Sequence, residues 1–243
     1  MENIINNNEI YRRLNRYEDV IIKYSPQSIQ SWEKLINYNL SFINTPINCT
    51  QLSTLEKEIY FNCETKITLP YLNKYYTLYK LPFVKQYSKT EILILIKEML
   101  QCVKVMHTKN IYHGDIHSKN IMINEKLNIA FIDFDSSIID NIISEENTFY
   151  LDDISTEEII KKTAIDDKKS LFMLLCYYLV NNNFNTDISY NVNINNLLLP
   201  HYLLSEIKSY TEDREPNYNY YYIDIIDELI SYEQKNKINV KKM

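Results

Sequence analysis

The sequence predicts an α+β fold in which a strand-rich N-terminal part is followed by a mostly α-helical C-terminal part. Three observations carry this expectation. Runs of β-branched and aromatic residues cluster before residue 82. Apolar residues recur at helical spacing from Ser88 onward. A pair of short apolar runs, split by a polar pentapeptide, interrupts the helical part at residues 121–132.

In order, EIYRRLN and DVIIKY read as two short strands between Glu9 and Tyr24, joined around Arg16 to Glu18. Pro26 and Ser28 then open a helix, SIQSWEKLINYNLSFI, with Ile29, Trp32, Leu35, Ile36 and Leu40 on one face, and Pro46 closes the region. From Leu55 to Leu81 the runs EIYFNCE, KITLPYL and YYTLYKL suit antiparallel strands. Ser88 followed by Glu91 is a capping-box signature. It precedes Ile92, Leu95, Ile96, Met99, Leu100, Val103 and Met106, the buried face of a long helix. IMI and IAFI, separated by NEKLN, read as a hairpin. DKKSLFMLLCYYLV, Asp167 to Val180, is apolar nearly all round after its first turn and reads as a buried helix. Helical stretches around Tyr202 to Tyr210 and Ile223 to Tyr232 complete the chain.

A chain of 243 residues, 45% hydrophobic, can bury one large domain or two closely joined lobes. The polar opening lacks a secretory pattern, and no stretch reaches the roughly 20 apolar residues that span a bilayer. The expected location is therefore cytoplasmic, in the source organism or a host cell, with no membrane partner. Cys49, Cys63, Cys102 and Cys176 form no CxxC pair and read as reduced packing residues. A net charge of -6 without a basic stripe argues against nucleic acid as a partner. Gly114 is the only glycine, so turns elsewhere must use Asn or Asp.

The chemistry concentrates in IYHGDIHSKNIMINEKLNIAFIDFD. Asp115 and Asn120 lie in the loop after the long helix, and Asp133 ends the second hairpin strand, so three oxygen-bearing groups converge at strand ends. Phosphoryl transfer asks for a carboxylate to orient a hydroxyl and oxygen ligands to hold magnesium against phosphates. Asp and Asn also favour turns through their own side-chain bonds, which is the competing reading of all three.

His113, Asp115 and Asn120 match His-x-Asp-x-x-x-x-Asn, and Asp133-Phe134-Asp135 stands where Asp-Phe-Gly would follow. In these motifs the chain resembles protein kinases and their relatives. The resemblance implies a bilobal protein kinase-like fold: a reduced, strand-rich N-lobe at residues 1–83, and a helical C-lobe at residues 84–243 carrying the catalytic loop and metal-binding hairpin. It implies an ATP-dependent phosphotransferase with Asp115 as catalytic base, Asn120 and Asp133 as magnesium ligands, and His113 as a packing and positioning residue. Lys23 resembles the strand lysine that holds nucleotide phosphates, and Glu33 the helix glutamate that pairs with it; a surface lysine and a solvated helix face are the alternative. Leu81 falls in the expected adenine-contacting segment, Tyr79 to Phe83. Asp167 resembles the aspartate that braces the catalytic loop, with a helix N-cap as the alternative. Arg214 resembles the arginine that ties down the activation segment, here through Asp152 or Asp153. His107 and His201 read as ordinary surface or half-buried residues.

The chain also departs from the family. With a single glycine it lacks the Gly-rich loop whose amides approach phosphates, which should weaken or redirect nucleotide binding. Asp135 in place of glycine could add a ligand or raise the local negative charge. Gly114 and His117 stand where serine/threonine kinases carry arginine and lysine, which resembles the loop of aminoglycoside and choline phosphotransferases and implies no activation by phosphorylation. An atypical protein kinase is the leading expectation, acting on a protein or a small hydroxylated substrate, with a partner protein able to complete the N-lobe. A small-molecule phosphotransferase and a pseudokinase scaffold are the alternatives.

Overall fold

In the computed structural model, which describes residues 15–17, 19–60, 63–81, 87–143, 155–181, 184, 199–212 and 222–240, the first elements form an antiparallel sheet. β1 (Asn15–Tyr17), β2 (Val20–Ser25), β3 (Asn48–Gln51) and β4 (Thr65–Pro70) lie in the order β1-β2-β4-β3. Tyr17 stands opposite Val20, so Arg16 and Tyr17 belong to β1 and the join lies between Tyr17 and Val20, overlapping the expected Arg16 to Glu18 only at its end; residues 9–14 of EIYRRLN lie outside the described residues. The helix α1 (Ile29–Tyr38) starts at Ser28, whose hydroxyl accepts from Ser31 N, and buries Trp32 and Leu35. It ends well before Pro46 because Asn39 takes a left-handed conformation at φ 45 and returns its N–H to Ile36 O.

The described residues of EIYFNCE, 58–60, 63 and 64, form no strand. Its start belongs to a short helix, α2 (Thr54–Ile59), because Ser53 and Glu56 form a reciprocal capping box that favours helix over the β-propensity of Ile59 and Tyr60. KITLPYL is β4, as expected, whereas YYTLYKL divides into β5 (Tyr75–Thr77) and a 3-10 turn, Leu78–Lys80.

The capping box predicted at Ser88 and Glu91 opens α3 (Lys89–Thr108), with Ile92, Leu95, Ile96, Met99, Leu100, Val103 and Met106 all buried. Each such side chain contributes about 1.5–3 kcal/mol relative to exposure, so this face anchors the core. β6 (Ile111–Tyr112) follows, then the expected hairpin of β7 (Ile121–Asn124) and β8 (Ile129–Phe131). β9 (Ile138–Ile139) and β10 (Ile142–Ile143) complete two small antiparallel sheets, β5-β7-β8 and β10-β9-β6.

The buried helix predicted from Asp167 is α4 (Thr156–Asn181), and it begins at Thr156 because Ser155 and Glu158 cap it reciprocally. Asp167 therefore sits inside the helix and is not an N-cap. α5 (His201–Glu212) and α6 (Ile223–Val240) correspond to the last two helical stretches.

One apolar cluster runs from Trp32 and Leu35 through Ile67 and α3 to Leu171, Leu203 and Leu229. The chain after α1 joins the hairpin through a parallel bridge between Ile43 and Phe131, flanked by Asn44 N to Phe131 O at 2.9 Å and Phe131 N to Phe42 O at 2.9 Å. This splice brings the first sheet to the end of β8. Burial pushes the Cys102 and Cys176 thiols up to about 12, consistent with protonated packing residues. Among the described residues, no helix is long and apolar enough to cross a membrane.

Candidate functional site

Residues 113–120 form a loop held from below by the middle of α4. Asp167, 1% exposed, accepts from His113 N at 2.8 Å and His107 Nε2 at 3.1 Å through Oδ2, and from Gly114 N at 2.9 Å through Oδ1. A buried carboxylate is costly unless its oxygens are engaged; here three donors engage both. This is the bracing contact expected of Asp167. It also corrects the reading of His107, which is buried and bonded to a residue remote in sequence. No local pattern signals that pairing. His201 is exposed, as expected.

His113 is fully buried between Phe134, at 4.6 Å between ring centres, and Phe131, at 6.0 Å. Asp115 N donates to its Nδ1 at 3.3 Å, so the ring proton belongs on Nε2, which donates to Ile132 O at 3.0 Å. Burial lowers the His113 pKa despite the neighbouring carboxylates, and a neutral ring with both nitrogens occupied holds the loop rather than moving protons.

Asp115 is half-buried and faces outward from this braced loop. Asn120 Nδ2 donates to its Oδ2 at 2.8 Å and to its backbone carbonyl at 3.1 Å, fixing the carboxylate. His117 Nε2 lies 3.4 Å from the same Oδ2, and Lys119 N donates to His117 Nδ1 at 3.2 Å, which leaves the proton of a neutral ring on the nitrogen facing Asp115. The His117 hydrogen bond, chiefly, holds the Asp115 carboxyl below the usual aspartate range; desolvation and the charge of Asp133 oppose it.

Ile132 N donates to Asn120 O at 3.0 Å, which sets Asp133 beside the loop. Asp133 is left-handed at φ 66, a conformation that Asp tolerates better than most residues. Its Oδ1 is 2.5 Å from Lys23 Nζ, which reaches across from β2. Lys23 also contacts Asp135 Oδ2 at 3.0 Å, and its side chain is 8% exposed, so it is no surface lysine. Its ammonium does not pair with Glu33, which lies on the exposed face of α1. The expected Lys23–Glu33 pair is therefore replaced by Lys23 with Asp133 and Asp135. Asp135 is closed off from solvent: Ser25 Oγ donates to Oδ1 at 2.8 Å, the Lys23 ammonium lies 3.0 Å from Oδ2 as an ion contact without hydrogen-bond geometry, and the residue is 1% exposed.

Leu81 is 1% exposed and packs in the main core rather than opening a contact surface. Residues 82–86, Asp152, Asp153 and Arg214 lie outside the described residues. The structure thus gathers Lys23, Asp115, Asn120 and Asp133 through a chain of contacts, and leaves Glu33 and Leu81 apart from it.

Among the described residues, no group of three or more His, Cys, Asp and Glu side chains could hold a metal ion by itself. The oxygen donors do suit magnesium, which uses one or two protein carboxylates together with substrate phosphates. Asn120 spends Nδ2 on Asp115, which leaves Oδ1 as its ligating atom. Asp133 is 29% exposed in its side chain, while Lys23 and Asp135 behind it are closed off. Two carboxylates against one ammonium leave net negative charge at that open edge, which favours a cation. No protein-family model matches the chain, and no curated protein matches it significantly.

Proposed function

We propose that the chain is an ATP-dependent phosphotransferase, an atypical protein kinase-like enzyme with a reduced N-lobe at residues 1–83 and a helical C-lobe at residues 84–243. One observation carries this reading. Asn120 is hydrogen-bonded to Asp115 and its carbonyl accepts from Ile132 N, while the adjoining Asp133 is ion-paired to Lys23 of the first sheet, so a backbone hydrogen bond links the pair read as base and ligand to the pair read as ligand and phosphate-binding cation. The Asp167 brace adds support, since it fixes the loop that carries Asp115.

In this reading Asp115, ionised and held by Asn120, orients the acceptor hydroxyl and takes its proton. Lys23 would neutralise phosphate oxygens, and Asn120 Oδ1 with Asp133 would hold magnesium. ATP and magnesium, when bound, supply the transferable phosphoryl group and the charge that screens the phosphates from one another. The acceptor is a protein or a small hydroxylated molecule.

A pseudokinase is the second reading, favoured by the engagement of Lys23 with two carboxylates and by the absent Gly-rich loop. Radiolabel transfer from ATP to proteins and small alcohols, with thermal shift on ATP and magnesium, separates the two. An enzyme shows a magnesium-dependent shift lost in Asp133→Ala. In Asp115→Ala the shift survives and turnover falls by roughly 100-fold or more. A shift without transfer to any acceptor favours the pseudokinase, and no shift in the wild type removes the enzyme and any nucleotide-binding pseudokinase.

A further inference from the structure

We infer that Asp135 is the residue that positions Lys23, filling the role expected of Glu33; its consequence for ATP rests on the phosphotransferase reading above. Lys23 needs a fixed anion, because a flexible ammonium loses side-chain entropy when it grips a phosphate. Asp133 alone is a poor holder: it is the more exposed carboxylate and the one that magnesium would share. Asp135 has neither weakness. Its side chain is 2% exposed, and its Oδ2 lies 3.0 Å from the Lys23 ammonium.

Asp135 is anchored through Oδ1, while Oδ2 makes the ion contact with Lys23. Ser25 Oγ accepts from Gln27 N at 3.1 Å and from Trp32 Nε1 at 3.2 Å, so its own proton is directed to Asp135 Oδ1 at 2.8 Å. Trp32 belongs to α1, the same helix as Glu33. The helix therefore reaches the lysine through Trp32, Ser25 and Asp135 rather than through a glutamate. The aspartate in Asp133-Phe134-Asp135 then compensates for the outward-facing Glu33: the carboxylate has moved from helix to loop.

Two measurements test this, one without nucleotide. Lys23→Met should lower the urea midpoint because it strands two carboxylates. Adding Asp135→Asn, which keeps the shape but removes the buried charge, should restore part of the loss. Adding Glu33→Gln should restore none. Rescue by Glu33→Gln, or no rescue by Asp135→Asn, overturns the inference.

In calorimetric titration with ATP and magnesium, Asp135→Asn should weaken binding about tenfold, on the scale of losing one buried ion contact to the Lys23 ammonium. Ser25→Ala should weaken it less, and Glu33→Gln should leave it within about twofold. Turnover at saturating ATP should fall far less than affinity in Asp135→Asn. Should that variant not fold, the Glu33 arm still decides, because a tenfold loss in Glu33→Gln overturns the assignment. A wild type that binds no ATP defeats the phosphotransferase reading and the nucleotide consequence drawn here, while the urea series separately judges which carboxylate holds Lys23.

Discussion

Gly114 carries two constraints at once: its φ is +79, and a Cβ built there would lie 2.4 Å from Ser136 O. The clashing atom is backbone and cannot swing aside, and the left-handed conformation adds strain for any other residue. Gly114→Ala should therefore cost on the order of 3 kcal/mol, combining left-handed strain with overpacking, and urea unfolding would reveal it. A variant as stable as wild type would show that the loop can shift. Three residues on, the His117 contact makes a pH prediction. Because the Asp115 pKa is lowered, its charged form is favoured in the native state; that stabilisation is present above the unfolded aspartate pKa and is lost as pH falls through the native one. His117→Ala removes the largest cause, so the Asp115 carboxyl, followed by carbon NMR, should titrate at higher pH than in the wild type. An unchanged or lower midpoint would contradict the assignment. These residues were legible in sequence because they share one short stretch. His107 was not, since its partner Asp167 lies on another helix, and only the fold makes them neighbours.

Among the elements, α1 is fixed at both ends. Its start is joined to the site by Trp32 and Ser25, and its last turn is held to the loop between β9 and β10: Tyr38 OH donates to Asp140 Oδ1 at 2.7 Å, and Lys34 Nζ lies 3.1 Å from Asp140 Oδ2. Burial pushes the Asp140 carboxyl up, but the hydrogen bonds from Tyr38 and Lys34 and the Lys34 charge outweigh it, so the net shift is downward. Tyr38→Phe should lower stability by about 1 kcal/mol at neutral pH, discounted for partial exposure. Since a lowered carboxylate pKa stabilises above the unfolded value and ceases to do so in acid, the difference between variant and wild type should vanish as Asp140 protonates. A pH-independent difference would mean that the hydroxyl acts by packing alone. The same helix shows how far periodicity carries a reading. Spacing identified Trp32 and Leu35 as buried, but Glu33 was assigned inward from its place in a motif, although it adjoins Trp32 and so projects from a different side. Capping boxes mark helix starts more directly than propensity does: the box at Ser88 opens α3, and those at Ser53 and Ser155 open α2 and α4 where the aromatic and apolar runs point elsewhere.

For the whole molecule, the question is whether the first sheet and the helical part fold together. A buried polar seam joins them: Gln27 Nε2 donates to Ser137 O at 2.8 Å, with the Gln27 carbonyl held on the sheet side by Thr65 Oγ1 at 2.8 Å, and Asp135 is shared between Ser25 and Lys23. None of this seam was legible in sequence, because each bond spans a long separation and Ser, Thr and Gln carry no periodic signature. The apolar cluster crosses the same boundary, from Trp32 and Ile67 into α3. Opening the boundary would exchange these hydrogen bonds for bonds to water, at about 0.5–1.5 kcal/mol each, and would expose apolar surface as well. The sheet should therefore not melt ahead of the helices. Trp32, the chain's only tryptophan and 2% exposed, reports the seam by fluorescence, while far-UV circular dichroism reports mainly the helices. The two urea transitions should coincide, and Gln27→Leu should move both to lower urea by the same amount. A fluorescence transition that precedes the loss of helix, in the wild type or in Gln27→Leu, would show that the polar seam is too weak to couple the parts and that residues around Lys23 come loose before the loop bearing Asp115.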